Sequence, residues 1–148
     1  MGKLRKTIGL AVGSAGLGVA AILALPGTAQ AALAPCSAQA DACIDLSANT
    51  SWLMHNGVVT YGGVPITSGR PGFATPPGTF HVTYKDIDHW SKAYNGPMPY
   101  SVFFTTTGVA FHQGSLKVKS HGCVHLSHAA AVRFYNSLHP GDVVQVVP

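Results

Sequence analysis

The residues best suited to chemistry lie in one short stretch, 112–125, which contains the run Ser-His-Gly-Cys at 120–123. A cysteine is a strong nucleophile only as the thiolate, so Cys123 needs a neighbouring base or a positive environment. His112 and His121 are both suitable bases. The stretch therefore predicts nucleophilic catalysis of acyl transfer by a cysteine and histidine pair.

The residues next to this cysteine could stabilise the reaction intermediate. Gly122 allows the backbone to turn sharply, which would expose the amides of Gly122 and Cys123 as an oxyanion hole. A helix is also predicted to begin just after Cys123, and the amide dipoles at its N-terminus would favour thiolate over thiol. Together these features supply the remaining parts of a cysteine acyl-transfer site.

Two other interpretations fit the same residues. A buried cysteine often packs as a small apolar side chain, although a Gly-Cys pair flanked by histidines is unusual core material. The stretch also carries side chains that zinc accepts, namely Cys123, His112, His121, His125 and His128. Against zinc, the stretch has a single cysteine, and its closely spaced ligands are too tight for a usual structural site. The residues alone therefore leave catalysis, zinc binding and a structural role open.

Short apolar segments separated by turn residues predict a mostly β domain with one late helix to carry these groups. The helix is predicted at 127–138, capped by Ser127. Asn-Gly at 56–57 predicts a hairpin, and the glycines and prolines of 68–78 predict a loop. The predicted strands are 42–46, 51–55, 58–61, 80–84, 100–105, 109–111 and 142–147. We expect the large aromatic residues to lie mostly in the core, among them Trp52, Phe73, Phe103 and Phe104.

The first 31 residues have the pattern of a secretory signal peptide. Three basic residues precede an apolar run at 7–25, and Ala-Gln-Ala at 29–31 forms a cleavage site. The length of that run would also suit an uncleaved membrane anchor. Cleavage leaves 117 of the 148 residues, an N-terminal segment at 32–41 and one domain at 42–148, with six basic and five acidic side chains. This near-neutral balance gives no support to a nucleic-acid partner.

The composition narrows the chemistry further. The acidic residues are five aspartates with no glutamate, which excludes H-E-x-x-H metalloproteases and glutamate-based glycosidases. Export would place the three cysteines in an oxidising compartment. Cys36 and Cys43 are a candidate disulfide, with an unpaired Cys36 in a flexible tail as the alternative. The bridge would leave Cys123 as a free thiol, which in an exported protein calls for a function.

Several segments in a consistent order resemble the L,D-transpeptidase catalytic domain, the YkuD-like family also called ErfK/YbiS/YcfS/YnhG. The strongest is Ser-His-Gly-Cys-Val-His-Leu at 120–126 with His112 upstream, followed by Thr-Pro-Pro-Gly-Thr-Phe at 75–80. Asp-Leu-Ser at 45–47 and Met-Pro-Tyr-Ser at 98–101 extend the similarity. The resemblance implies a single-domain β-sandwich-like fold and favours catalysis over zinc and over a structural role.

This resemblance implies an exported bacterial enzyme that acts at the cell wall on peptidoglycan stem peptides. Cys123 would attack the carbonyl before the terminal D-Ala of a tetrapeptide, release D-Ala, and pass the acyl group to a neighbouring stem, giving a 3→3 cross-link. His112 matches the general base, held by a main-chain carbonyl for which Gln113 is the candidate. His121 matches the histidine beside the thiol, and Ser120 the hydroxyl that orders the pocket. We expect a monomer without cofactor or metal, open to acylation by carbapenems.

Two departures from the family pattern bear on substrate recognition. Residues 113–119 form a shorter connection between His112 and Ser120 than the family commonly has. His125 stands where many members carry Arg or Asn, so it is a candidate substrate contact, together with Tyr100 and Met98. Two alternatives remain, an L,D-carboxypeptidase in which water replaces the acceptor amine, and a non-catalytic wall-binding module.

Overall fold

The structure is a computed structural model and describes residues 33–148. The predicted signal peptide, 1–31, lies outside the described residues. The described part contains nine strands and one helix: β1 (Ala42–Asp45), β2 (Thr50–His55), β3 (Val58–Pro65), β4 (Gly78–His81), β5 (Tyr84–Ser91), β6 (Gly96–Phe103), β7 (Ala110–Gln113), β8 (Val124–Leu126), α1 (His128–Ser137) and β9 (Val143–Val147). The prediction of a mostly β fold with one late helix is confirmed.

The strands form two sheets that share one core. The first sheet has the order β3-β2-β1-β9-β4, and the second has the order β5-β6-β7-β8. Ile44 of β1, Phe111 of β7 and Phe134 of α1 are all fully buried in the same hydrophobic cluster. The helix packs mainly against β6, β7 and β8 of the second sheet. Burial of these large apolar side chains is the main stabilising contribution.

The helix forms because its sequence provides both a cap and an apolar face. Ser127 accepts a hydrogen bond from the amide of Ala130 at 3.2 Å, which satisfies one of the free N–H groups at the helix start. Ala130, Phe134 and Leu138 are buried along one side, as the i, i+4, i+8 spacing predicted. Pro140 follows the end of the helix and prevents its continuation.

Two strand predictions differ from the structure. The segment predicted as a strand at 80–84 is divided between β4 and β5, and β5 was not predicted as a separate strand. β5 lies at the edge of its sheet, a position that accommodates charged side chains such as Asp86 and Asp88. β3 also continues through the two glycines at 62–63 to Pro65 instead of ending before them.

The pairing of β7 with β8 positions the candidate chemistry. These two strands are parallel, with Phe111 opposite Val124 and His112 opposite His125. Because strand residues alternate between faces, Phe111 and Val124 enter the core while both histidines lie on the other face. Cys123 directly precedes β8, so it follows the same alternation as His125 and lies on the histidine face.

The segment before β1 is attached to the first sheet. Cys36 and Cys43 are joined by a disulfide with an S–S distance of 2.03 Å. The amide of Ser37 also donates to Oε1 of Gln145 in β9 at 2.7 Å. Cys123 is the free cysteine of residues 33–148. Over the same residues, the structure has no helix with the length and apolar character needed to cross a membrane.

Candidate active site

A cleft of about 370 Å³ opens beside the parallel strands β7 and β8, at the end of the pair where both strands begin. Its walls come from three segments, 91–98, 107–112 and 119–125, and include Cys123, His112, His121 and His125. His125 lies opposite His112, and Cys123 comes two residues before His125 on the same face. With the usual rise per residue and spacing between strands, the Cα atoms of Cys123 and His112 are about 8 Å apart. The parallel pairing thus brings the predicted nucleophile and the predicted base to one cavity.

His112 is buried and held in one tautomer. Its Nδ1 lies 2.8 Å from the main-chain oxygen of Gln113. A carbonyl oxygen can only accept, so Nδ1 carries the proton and Nε2 keeps its lone pair. Burial lowers the pKa of His112 to about 4, an effect that the Gln113 hydrogen bond opposes and that charge repulsion from His125 and His89 reinforces. The imidazole is therefore neutral at pH 7 and can accept a proton at Nε2.

Cys123 is partly exposed at the floor of the cleft. It packs against a small cluster formed by Met98, Phe103 and Ala110, and its Sγ donates to the carbonyl oxygen of Gly108 at 3.8 Å. Burial raises the pKa of the Cys123 thiol, and a backbone hydrogen bond from Ala110 offsets this only in part. At neutral pH the free protein therefore holds a thiol beside a neutral imidazole.

The predicted influence of a helix N-terminus on this thiol is wrong. The strand β8 separates Cys123 from α1, which begins at His128. The first turn of α1 is also capped by Ser127. Because the effect of a helix dipole falls off within about one turn, α1 does not turn the thiol into a thiolate. A thiolate at this position would therefore need a neighbouring base to take the thiol proton.

Ser120 and Gly122 shape the loop that leads to the thiol. Ser120 Oγ donates to the carbonyl oxygen of Cys123 at 2.6 Å and accepts from the amide of Gly122 at 2.9 Å. Gly122 has φ +126°, a conformation that side-chain-bearing residues rarely adopt. The prediction that the Gly122 amide is an oxyanion donor is wrong, because Ser120 already engages it. The Cys123 amide has no acceptor within residues 33–148 and stays available to an oxyanion.

Thr75 supports the same loop, although it was not predicted as a site residue. Its side chain is buried, and Oγ1 donates to the carbonyl oxygen of Gly122 at 2.6 Å. Oγ1 also accepts from the amide of Gly69 at 3.0 Å. Thr75 opens the family-like segment at 75–80, which was the signal that could have identified it. One hydroxyl thus ties the 68–75 loop to the residue before the thiol.

His121 contacts aromatic side chains at the rim of the cleft. Its ring stacks on Tyr94, with centroids 3.9 Å apart and planes at 12°. Phe73 meets it edge-on at 5.0 Å. The expectation that Phe73 lies in the core is wrong, since 42% of its surface is exposed. Tyr94 was not predicted as a site residue, because nothing in the sequence of the hairpin between β5 and β6 indicates that it folds toward His121.

His125 lies in the cleft wall and is held from behind. Its Nδ1 is 3.0 Å from the carbonyl oxygen of Ser115 and 3.1 Å from Oγ1 of Thr67. A Cβ on Gly114 would come within 2.6 Å of the ring, so the short 113–119 connection packs directly against it. The ring of His112 meets it edge-on at 4.8 Å. Nδ1–H donates to the carbonyl oxygen of Ser115, so Nε2 is the ring nitrogen without a hydrogen-bond partner among residues 33–148.

The two other predicted substrate contacts have different outcomes. Met98 is part of the cleft wall. Tyr100 is not, because its ring meets His128 and Tyr135 edge-on at 5.6 and 5.8 Å. A regular strand would put Met98 and Tyr100 on one face, but Tyr100 has φ +58°, which interrupts the alternation. Tyr100 therefore lies outside the cleft wall, and a contact between Tyr100 and substrate stays a prediction.

The cleft residues do not form a metal cluster. Over residues 33–148, no three histidine, cysteine, aspartate or glutamate side chains are arranged to hold a metal ion. The zinc interpretation of this stretch therefore finds no support in the geometry. A thiol, a neutral imidazole and one free amide in a common cleft are instead the parts of an acyl-transfer site.

Comparison with known proteins identifies the family. The model of the YkuD family, described as the L,D-transpeptidase catalytic domain, matches residues 39–146. The chain therefore belongs to the L,D-transpeptidase catalytic domain family, and the resemblance seen in the sequence is confirmed.

Individual relatives agree with this assignment. The chain is 30% identical over 121 residues to L,D-transpeptidase 1 of Mycobacterium tuberculosis, covering 69% of this chain and 48% of the relative. A crystal structure of an L,D-transpeptidase from Stackebrandtia nassauensis superposes with a TM-score of 0.69 at 32% identity, covering 72% of this chain and 54% of that one. The LD transpeptidase LdtMt1 in complex with imipenem gives a TM-score of 0.66 at 28% identity, covering 70% and 56%. The chain thus spans about half the length of these relatives.

Proposed function

We propose that this protein is an exported cysteine L,D-transpeptidase that cross-links peptidoglycan tetrapeptide stems. Membership of the family supports the type of reaction. The observation that carries the proposal is the tautomer of His112, whose Nδ1–H donates to Gln113 and whose basic Nε2 shares a cleft with the Cys123 thiol. A neutral base paired with a neutral thiol suits a nucleophile that is deprotonated only as it attacks.

In the first half of the reaction, Sγ of Cys123 attacks the carbonyl carbon that precedes the terminal D-Ala. Nε2 of His112 takes the thiol proton as the bond forms. The oxyanion of the tetrahedral intermediate accepts a hydrogen bond from the amide of Cys123. When the intermediate collapses, the C–N bond breaks and His112 returns the proton to the leaving amine. The products are a thioester on Cys123 and free D-Ala.

The second half reverses the roles of the groups. The amine of a neighbouring stem attacks the thioester carbonyl, and His112 takes its proton. Collapse of the new intermediate breaks the C–S bond, and the proton passes to the sulfur, which restores the thiol. The product is a new amide, which is the 3→3 cross-link. If water attacks instead, the same steps release a tripeptide, as an L,D-carboxypeptidase would.

Product analysis separates these possibilities. The purified protein is incubated with a tetrapeptide donor, with and without an acceptor stem, and the masses of the product peptides are measured by mass spectrometry. A transpeptidase gives a dimer that has lost one D-Ala, whereas a carboxypeptidase gives tripeptide and no dimer. A protein that releases no D-Ala and forms no adduct with imipenem would instead be a wall-binding module. Cys123→Ala, checked for an unchanged unfolding transition, is the control.

Export and the monomeric state are further parts of this proposal. The pattern of residues 1–31 supports export, with cleavage after Ala31. N-terminal sequencing of protein recovered from outside the cytoplasm should begin at Ala32. Retention of Met1 on membrane-bound protein would show that the segment remains as an anchor. Light scattering of the cleaved protein should give the mass of one chain.

A further inference from the structure

The cleft carries one unusual charge. Among the described residues that line it, Lys119 is the single lysine or arginine, and no aspartate lines it. The rest of the wall includes apolar groups such as Pro97, Met98 and Val109. Among these described wall residues, Lys119 therefore supplies the one lysine or arginine charge that a ligand in the cleft can meet.

The ammonium group of Lys119 has no counterion within residues 33–148. The ion pairs in that range join His89 with Asp86 and His139 with Asp142, so neither involves a lysine. Lys119 also follows Val118 on an exposed loop, and its side chain is exposed. Other lysines of this range also lack an ion pair, but Lys119 is the one in the cleft wall, so its charge is available to a ligand bound there.

The other side chains of the wall with polar ring nitrogens are histidines, and the ring of His121 is stacked on Tyr94. Nδ1 of His125 already donates to the carbonyl of Ser115, and the ring lies against Gly114. Nδ1 of His112 donates to Gln113, and Nε2 of that ring is needed for proton transfer. An anionic group that enters this cleft therefore has one flexible ammonium donor to meet.

We propose that Lys119 binds a carboxylate of the donor peptide and so selects stems that carry it. The donor peptide in this inference is taken from the proposed function, on which the inference therefore rests. A tetrapeptide stem has two sources of such a group, the terminal carboxylate of D-Ala and a free carboxylate on the side chain of the diamino acid. Both offer the same chemistry, a carboxylate oxygen that accepts from the ammonium.

Binding measurements on Cys123→Ala test the inference without turnover. Calorimetry compares four synthetic tetrapeptides, with each carboxylate left free or converted to the amide, alone and together. Amidation of the carboxylate that Lys119 contacts should weaken binding about tenfold, equivalent to about 1.4 kcal/mol. With Lys119→Met added, free and amidated peptides should bind equally weakly. The peptide that shows the effect identifies which carboxylate is bound.

Two matched variants distinguish a local contact from a general change of charge. Lys117→Met removes the same charge from the same loop at a residue outside the cleft wall, and it should keep the full preference for the carboxylate. Lys119→Arg should keep the preference as well, since it preserves a cationic donor. The preference should also shrink as salt is raised, because the contact is partly open to solvent.

The inference is overturned by any of three results. The first is that amidation weakens binding equally with and without Lys119→Met. The second is that Lys117→Met loses the preference for the free carboxylate as fully as Lys119→Met does. The third is that the free tetrapeptide shows no measurable binding to a folded Cys123→Ala protein. Transfer activity of the wild-type protein is measured separately, so the proposed function can stand while this inference fails. Unfolding curves for each variant confirm that the exposed substitution leaves the fold intact.

Discussion

Nδ1 of His112 lies 2.8 Å from the main-chain oxygen of Gln113, the next residue in the chain. This one contact decides which ring nitrogen is basic, because it leaves the lone pair on Nε2. Burial adds a second constraint by lowering the pKa of His112 to about 4. The side chain is therefore a neutral base at pH 7. Its burial lowers the free energy of unfolding only in acid, where the unfolded chain takes up a proton at this position.

The first prediction concerns stability in acid. The folded-state pKa of about 4 lies below the ordinary value of 6.5, so between these pH values the unfolded chain binds more protons than the folded one. The free energy of unfolding should therefore fall as pH drops through this window, by a contribution that approaches about 3 kcal/mol near pH 4. Urea unfolding at several pH values measures it. His112→Gln should show a smaller loss; parallel curves for the two proteins would contradict the assignment.

The second prediction concerns the reactivity of the thiol. Burial raises the pKa of Cys123, so alkylation by iodoacetamide should follow an alkaline profile, above the value of about 8.5 of a free cysteine. Imipenem should still acylate the protein at pH 7, because His112 removes the proton during attack. A thiolate plateau well below pH 8.5 would mean that the resting state is an ion pair, contrary to the structure.

The third prediction concerns the hydroxyl of Thr75. Thr75→Val keeps the shape but removes the hydrogen bonds to Gly122 and Gly69, so buried polar groups lose their partner. We expect a loss of about 1–3 kcal/mol in the free energy of unfolding and a slower acylation by imipenem, because the loop before Cys123 loses its support. Thr75→Ser keeps the hydroxyl and should restore most of both. Equal behaviour of the two variants would show that the hydroxyl has no such role.

The fourth prediction concerns the backbone at Gly122. Its φ of +126° strains any side-chain-bearing residue, although a Cβ would meet no atom closer than 3.6 Å. Gly122→Ala should therefore lower stability by about 1–2 kcal/mol and also slow acylation. Gly141 has φ +97° and open space around it, far along the chain from Cys123, so Gly141→Ala is the matched control. It should lose comparable stability and keep its acylation rate.

Much of the candidate site could be predicted from the sequence because its parts are local. The run at 120–123 and the capped helix after it are visible as short patterns, and the order of family-like segments gave the fold. The structure adds contacts between distant positions, such as Thr75 with Gly122 and the stack of Tyr94 on His121. No local pattern encodes those. The position of Tyr100 outside the cleft wall has the same origin, since its positive φ interrupts the regular alternation of the strand.

The prediction for the oxyanion hole was half wrong for a similar reason. A glycine before the nucleophile does free the backbone, as Gly122 shows by its positive φ. The sequence does not show that Ser120 turns back to accept the amide of Gly122 while donating to the carbonyl of Cys123. Lys119 was likewise overlooked, because a lysine in an exposed loop usually has no site role, and only the segments 91–98 and 107–112 beside it make it a wall residue.

Peptide mapping of the trapped acyl-enzyme tests the central claim most directly. Wild-type protein and Cys123→Ala are each incubated with imipenem, digested, and sequenced by tandem mass spectrometry. We predict one covalent adduct per chain on Cys123 in the wild-type protein and none in the variant. An adduct on another residue, an adduct that persists in Cys123→Ala, or an unmodified wild-type protein that is correctly folded would contradict it.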